Sequence, residues 1–216
     1  MRSPKRRERL TKRRESPARI AALTDGIFSV AMTLLVLGLA VNAHESSPQS
    51  ANGDFWRFLG ANAIGWKFLW FLASFAVASW FWVAHLQVFW TIDRVDRNVV
   101  WLNTLFLVPI VLAPFTTVLV GQFPHANYAA VLYVADILAG SLTLDAIWFY
   151  CLRAGLVAER DTPNLVSAVS RRLIIVTVLL VAACGVAPFF PYYAIGAVVL
   201  TMLYIALMVG TRFLVE

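Results

Sequence analysis

Charged residues are scarce in this chain. Only 14% of its 216 residues are Asp, Glu, Lys or Arg, whereas 60% are hydrophobic, and the mean hydropathy is +0.74. Soluble domains carry about a quarter charged residues, so this composition excludes an ordinary soluble domain. A membrane-spanning helix needs about 20 predominantly apolar residues, and the chain therefore has room for about six such helices joined by short loops.

Cysteine and histidine are also few. The two cysteines, Cys151 and Cys184, both lie in apolar runs and give neither a disulfide framework nor a metal-binding pair. The three histidines, His44, His85 and His125, do not form a metal-ligand motif such as two histidines four residues apart on one helix. We therefore expect no metal centre, no cofactor and no zinc-dependent enzyme.

Long apolar runs predict an all-α membrane protein with six spans. The runs cover approximately residues 20–41, 64–89, 99–120, 128–152, 173–189 and 192–213. The third contains Pro109 and Pro114, which membrane helices tolerate where neighbouring groups satisfy the freed carbonyls. A polar connector at 153–172 separates the fourth span from the fifth. The chain divides into a basic arm, residues 1–18, and a six-helix membrane domain, residues 19–216.

Basic residues are concentrated at the N-terminus. Nine of the 18 Lys and Arg residues fall in the first 19 positions. Such an arm binds nucleic acid or an anionic lipid surface, and the adjoining span favours lipid, so we expect no nucleic-acid partner. With the N-terminus inside, only Arg57 and Lys67 lie on the outer side. The positive-inside rule thus predicts cytoplasmic N- and C-termini, in the cell's inner (plasma) membrane.

Ionisable groups inside the spans are costly and often mark function. Four occur, namely Asp25, His85, Asp136 and Asp145. Asp25, His85 and Asn103 fall at similar depths toward the cytoplasmic side. We expect one buried cluster in which the Asp25 carboxylate accepts hydrogen bonds from the imidazole, the amide and the Trp82 indole. A structural role is the favoured reading of this cluster. Asp136 and Asp145 could pair with arginines or line a side cavity.

The first span has one narrow face of small and apolar residues. At 100° per residue, the face contains Gly26, Val30, Thr33, Leu37 and Val41. Asp25 points away from it, toward the protein's own bundle. A face of this kind either packs against a neighbouring helix or meets other copies of the same span around an axis. The spacing alone favours packing.

A motif in the first span narrows this choice. Arg19 is followed, after three residues, by Leu23, Thr24 and Asp25. The arrangement resembles the hallmark of the transmembrane protein 175 family, the endosomal and lysosomal potassium channels and their bacterial relatives, which reads Arg, three residues, Phe-Ser-Asp. Leu23 replaces the family's phenylalanine, and we expect this change to weaken the anchoring cluster.

The resemblance continues through the next two spans and covers about residues 19–123. Trp82 and His85 resemble the family's pair at the end of its second helix, and residues 101–123 resemble its third helix, including the step from Pro114 to Phe115. By position, the expected structural cluster consists of Arg19, Thr24, Asp25, Trp82, His85 and Asn103.

The resemblance implies a homotetramer of six-helix chains in which helix one lines a central pore. It places an apolar constriction at Val30, a hydroxyl layer at Thr33 with Ser29 one turn below, and a second apolar layer at Leu37. The implied function is passive, potassium-preferring cation conduction, with potassium as the permeant ion and the lipid bilayer as the surroundings. Because Val30 is smaller than the family's usual Leu or Ile, its ring should be wider or wetter.

Two other functions compete with this hypothesis. A proton- or ion-coupled secondary transporter would use Asp25, Asp136 and Asp145, although the internal repeats typical of carriers are not evident. A membrane enzyme would need a nucleophile beside a base. Ser74 and Ser79 share a span with His85, but their spacing from it places them poorly for this role. We therefore expect no enzymatic activity. A purely structural membrane protein is a further alternative.

Overall fold

The computed structural model describes residues 17–43, 64–123, 126–158, 163–190, 193 and 196–200. Its helices are α1 (Pro17–Ala43), α2 (Ile64–Thr91), α3 (Arg97–Gln122), α4 (Asn127–Arg153) and α5 (Pro163–Val186). Each contains a stretch long and apolar enough to cross a membrane. The chain is therefore a multi-pass, all-helical membrane protein, as its composition predicts.

The first four helices begin and end within three residues of the predicted spans. Differences of this size are ordinary at helix ends. The predicted sixth span, 192–213, lies mostly outside the described residues, of which 196–200 are helical. Residues 1–16 of the predicted basic arm also lie outside the described part of the chain.

The prediction for the fifth span is wrong at its beginning. α5 starts at Pro163, ten residues before the predicted start, so half of the expected polar connector is helical. Proline suits the first position of a helix, where its missing N–H costs no hydrogen bond. Val169 is buried, and Ser170 accepts a 2.8 Å hydrogen bond from the Trp148 indole. The segment looked polar in sequence, but one side of it packs inward.

α3 lies at the centre of the described bundle. It contacts α1, α2 and α4, and α4 in turn contacts α5. α3 runs unbroken through Pro109 and Pro114. The fully buried Phe106 ring lies 6.0 Å from the Phe28 ring of α1 and 6.2 Å from the Phe81 ring of α2, measured between centroids. This aromatic contact joins the first three helices.

Two turns are hydrogen-bonded together at the end of the bundle predicted to be cytoplasmic. The backbone N–H of Asp93 donates to the Leu156 carbonyl at 2.9 Å, and that of Ala158 donates to the Thr91 carbonyl at 2.8 Å. Asp96 caps α3 by accepting from the Val99 N–H at 2.9 Å. The α2–α3 turn is therefore fixed against the segment that follows α4.

Candidate pore-lining helix and its anchor

One face of α1 is buried. Its buried side chains are Ile20, Thr24, Phe28, Ala31 and Leu35. Their spacing of three and four residues defines a single helical stripe. The stripe packs against α2 and α3, which are the helices that α1 contacts most. Four of the five side chains are apolar, so Thr24 introduces the only polar group into this contact.

The nearly opposite face of α1 is exposed. It carries Gly26, Val30, Thr33 and Leu37, with Ser29 at its edge. Val30 is 58% exposed and Leu37 is 53% exposed. At 100° per residue, these positions lie on the side of the helix away from Thr24 and Ala31. All four residues assigned to the pore by resemblance are therefore uncovered in the described single chain.

The hydroxyl of Thr33 is oriented by its own helix. Its Oγ1 donates a hydrogen bond to the carbonyl oxygen of Val30 at 2.8 Å. A hydroxyl that uses its proton in this way still has acceptor lone pairs on the oxygen. Those lone pairs are on the exposed side of α1, where they can coordinate a cation or accept a hydrogen bond from water.

A groove runs beside the exposed face of α1. Its volume is about 370 Å³, and its walls include Leu23, Gly26, Val30 and Leu34 of α1 together with Val111 of α3. The walls are almost entirely apolar. The groove lies between α1 and α3 of the same chain, and its apolar walls can accommodate apolar side chains.

A buried chain of hydrogen bonds through Thr24, Asn103 and His85, which we term the anchor, holds α1 to the other helices. Asn103 of α3 donates its side-chain N–H to Thr24 Oγ1 at 3.0 Å, and its Oδ1 lies 2.9 Å from His85 Nε2. All three side chains are at most 2% exposed. Because Asn103 serves as donor to Thr24 and as acceptor for the imidazole, it joins α1, α2 and α3 at one point.

Aromatic rings enclose the His85 imidazole. Its centroid lies 4.2 Å from that of Phe89 and 5.4 Å from that of Phe106, with the rings stacked in both cases. Nδ1 of His85 is buried without a hydrogen-bond partner in the described part of the chain. The tautomer that donates from Nε2 to Asn103 Oδ1 fits this environment, because Nδ1 then carries no proton.

Asp25 occupies a different position from the one expected. The Trp82 indole N–H donates to Asp25 Oδ1 at 2.8 Å, but Asp25 is exposed. The His85 imidazole bonds instead to the Asn103 amide, which in turn donates to Thr24. The expected single network is thus divided in two. The reason is the 100° step between neighbours, which turns Asp25 sideways once Thr24 faces the bundle. Arg19 is exposed near the start of α1.

Each of the two aspartates of α4 accepts a hydrogen bond from a threonine of a neighbouring helix. Thr116 of α3 donates to Asp136 Oδ2 at 3.0 Å, and Thr177 of α5 donates to Asp145 Oδ2 at 2.7 Å. Neither carboxylate pairs with a basic side chain in the described residues. Sequence reasoning missed both threonines. The available signal was that a carboxylate inside a span needs a donor, and that Ser and Thr are common donors in such helices.

The two serines that share α2 with His85 are hydrogen-bonded to other groups. Ser74 lies 3.1 Å from the Tyr133 hydroxyl, and Ser79 donates to the Phe75 carbonyl, so neither serine hydrogen-bonds to His85. The same part of the chain contains no group of three or more His, Cys, Asp or Glu residues suited to a metal ion.

Comparisons with known proteins agree with these features. The family model described as "Endosomal/lysosomal potassium channel TMEM175" matches residues 19–114, which include the buried stripe, the exposed face and the anchor of α1. A potassium channel of Streptomyces collinus is 32% identical over 63% of this chain and 65% of its own length. A potassium channel of Chamaesiphon minutus is 30% identical over 71% of this chain and 75% of its own length.

A solved structure shares the fold. The crystal structure of a lysosomal potassium-selective channel TMEM175 homolog from Chamaesiphon minutus superposes with a TM-score of 0.73 at 25% sequence identity. The match covers 89% of this chain and 97% of the other.

Proposed function

The chain belongs to the TMEM175 family and is a cation channel of the membrane, and we propose that it conducts potassium in preference to sodium through a tetrameric pore lined by α1. The observation that supports the pore assignment most strongly is the division of α1 into two faces. One face is fixed by Thr24 and its apolar neighbours, and the other presents Val30, Thr33 and Leu37 uncovered.

Four copies of α1 around an axis would create successive rings from this exposed face. Val30 side chains would form an apolar constriction that conducts when wetted and blocks when dry. Thr33 oxygens, one turn away, would replace part of the ion's hydration shell. Leu37 would form a second apolar ring, and Ser29 would add hydroxyls near the cytoplasmic end. Because each chain would contribute one Thr33 hydroxyl and no carbonyl filter, the preference for potassium over sodium should be modest.

The proposed pore requires oligomerisation. A single α1 cannot enclose an axis, so the pore requires several copies related by rotational symmetry. The apolar groove between Leu34 of α1 and Val111 of α3 offers room for side chains of a neighbouring copy. In the proposed homotetramer, these contacts would cover the exposed Leu23 and Leu34 side chains, which lie beside the ion-facing residues of α1.

The anchor has a mechanical role in this proposal. Thr24, Asn103 and His85 fix the rotation of α1 about its own axis, and the bond between Asp25 and Trp82 restrains it sideways. A rotation of one residue, about 100°, would exchange pore positions for packing positions. The anchor therefore determines which residues face the ions. It takes no part in chemistry, and we propose no enzymatic activity and no cofactor beyond the permeant ion.

The proposed location is the cell's inner (plasma) membrane with the N- and C-termini in the cytoplasm. The support is the charge distribution, because Arg94, Arg97 and Arg153 lie at the end of the bundle where α1 begins, and nine of the 18 Lys and Arg residues occupy the first 19 positions of the sequence. The lipid bilayer and potassium ions are thus the surroundings and the permeant species.

Ion flux in liposomes tests this proposal. Purified protein is reconstituted, and potassium and sodium currents or fluxes are compared for wild type, Val30→Ser and Thr33→Val. We expect the Val30→Ser ring to wet more readily and raise conductance severalfold, and we expect Thr33→Val to lower the potassium-to-sodium permeability ratio.

Matched controls are available in the same bundle. Val178 is 60% exposed on α5 rather than on the proposed pore helix, so Val178→Ser should leave conductance near wild type. Thr104 is an exposed α3 threonine whose hydroxyl donates to its own helix at 2.9 Å, so Thr104→Val should leave the permeability ratio unchanged. Saturable, pH-coupled flux that depends on Asp136 or Asp145 would instead support the carrier alternative.

A further inference from the structure

Two exposed arginines lie where α2 turns into α3, at the end of the bundle proposed to be cytoplasmic. Arg94 belongs to the turn itself, and Arg97 is the first residue of α3. Neither guanidinium group hydrogen-bonds to, or forms an ion pair with, another residue in the described part of the chain. Because a guanidinium group is a planar fork of N–H donors that matches the geometry of phosphate, both arginines are available to bind such an anion.

The turn that carries these arginines is fixed in place. The Asp96 carboxylate accepts one hydrogen bond from the backbone of α3 and another from the Tyr150 hydroxyl of α4, so both of its oxygens are engaged by other donors. Asp93 is exposed in the same turn, and its backbone N–H is bound to the segment after α4. Arg153 is exposed one turn after Tyr150. The three arginines therefore outnumber the two carboxylates of the turn.

A stripe of exposed side chains runs along α3 from Arg97 toward the middle of the membrane. It consists of Trp101, Leu105, Val108 and Leu112, which are between 46% and 63% exposed. Their spacing of three and four residues places them on one side of the helix. From the first to the last of them the helix rises about 16 Å, close to one leaflet of a hydrocarbon core about 30 Å thick. The stripe is thus one leaflet long and begins beside the arginines.

Trp101 occupies the boundary between the charged and the apolar parts of this surface. Its indole N–H donates to no other residue in the part of the chain that the structure describes, and its ring is 63% exposed. Tryptophan is enriched at the level of lipid headgroups, because its ring is apolar and its N–H is polar. Arg97 lies four residues earlier on the same side of α3. Guanidinium, indole N–H and apolar stripe follow the order of phosphate, ester oxygens and acyl chain in a phospholipid.

We propose that this side of α3 binds one anionic phospholipid of the cytoplasmic leaflet in each chain. Its phosphate lies between Arg94 and Arg97, and one acyl chain lies along the stripe. Charge complementarity favours a lipid over a second copy of the chain as the occupant. Among the described residues the exposed carboxylates are Asp25, which Trp82 already bonds, and Asp93 in the same turn. An anionic headgroup supplies the missing negative charge.

Native mass spectrometry of the detergent-purified full chain tests the proposal. Phosphatidylglycerol and phosphatidylcholine with the same acyl chains are added in equal amounts, and we expect about one phosphatidylglycerol to be retained per chain in preference to phosphatidylcholine. Arg97→Gln should weaken phosphatidylglycerol binding about fivefold, and the double variant Arg94→Gln, Arg97→Gln should weaken it more than about tenfold. Asp93→Asn removes an opposing charge and should strengthen the binding severalfold.

Two further variants separate a bound lipid from a general effect of charge. Lys67→Gln removes a positive charge at the start of α2, at the opposite end of the bundle, and should leave retention of phosphatidylglycerol unchanged. Arg97→Lys keeps the positive charge, so it should recover most of the affinity that Arg97→Gln loses.

Three results would overturn the proposal. The first is equal retention of the two lipids by the wild-type protein, and the second is unchanged retention in the double variant. The same spectra report the mass of the oligomer. Loss of subunits rather than of lipid in the double variant would be the third, because it would show that a second copy covers this side of α3. Lipid retention and ion flux are separate measurements, so each of these results leaves the proposed conduction through α1 to be judged by flux.

Discussion

The Trp82 indole nitrogen lies 2.8 Å from Asp25 Oδ1 and connects the exposed side of the α1 anchor to α2. The two residues are 57 positions apart in sequence, so this bond restrains the orientation of one helix against the other. Asp25 directly precedes Gly26, the first residue of the exposed face. A change at this contact should therefore reach the pore positions through rotation of α1.

A double-mutant cycle measures the coupling free energy between Trp82 and Asp25. Trp82→Phe removes the donor and Asp25→Ala removes the acceptor, and we expect a coupling free energy of about 1 kcal/mol, typical of hydrogen bonds between membrane helices. The measurement is thermal or denaturant unfolding of the detergent-purified protein for wild type, both single variants and the double variant. Additive losses would show that the bond does not restrain α1.

Replacing Asn103 should lower the free energy of unfolding more than breaking the contact between Trp82 and Asp25 does. Asn103→Leu leaves the Thr24 hydroxyl and the His85 Nε2 without their shared buried partner. We expect a loss of about 1–3 kcal/mol in unfolding free energy, because unpaired buried polar groups are costly. Asn98→Leu serves as control: Asn98 is exposed and donates to the Tyr150 hydroxyl, so its loss should stay within about 0.5 kcal/mol. Equal losses in both variants would contradict the buried anchor.

Close packing between α1 and α3 gives a third prediction. A Cβ atom added at Gly38 would lie 2.6 Å from Val118 Cγ2, whereas one added at Gly26 would have no atom within 4 Å. We expect Gly38→Ala to destabilise the protein by about 1–3 kcal/mol through overpacking. Adding Val118→Ala should restore most of that loss. Stability unaffected by Gly38→Ala would show that the two helices are farther apart.

Gly26→Ala is the matched substitution on the other face. Because the chain itself leaves space there, unfolding of the chain should be little changed. Any effect should appear in conductance instead, since Gly26 belongs to the proposed pore face.

The helices were predictable because their signal is local. A run of about 20 apolar residues locates a span regardless of its neighbours, and this rule found α1 to α4 within three residues. The same rule missed the start of α5, because the segment after Pro163 has polar residues on one side and, on the other, the buried Val169 with the partly buried Val166. An amphipathic helix end of this kind has too low a mean hydropathy to be recognised as part of a span.

Contacts between helices were less predictable. Helical spacing separated the exposed face of α1 from its buried side, and depth grouped His85 with Asn103. Whether Thr24 or Asp25 meets them depends on the rotation of α1, which is set by packing across three helices. The pairing of Asp136 with Thr116 likewise depends on which turn of α3 faces α4. Neither relationship leaves a pattern within one segment of sequence.

The most direct test of the central claim is chemical access to α1 during conduction. Cys151 and Cys184 are first replaced by alanine, and Val30→Cys and Val178→Cys are then compared in planar bilayers with a membrane-impermeant, positively charged thiol reagent. If the face with Val30, Thr33 and Leu37 lines the pore, the reagent will block potassium current in the Val30→Cys variant and leave the Val178→Cys variant unaffected. Current that persists after demonstrated modification at position 30, or equal block at both positions, would contradict the proposed pore.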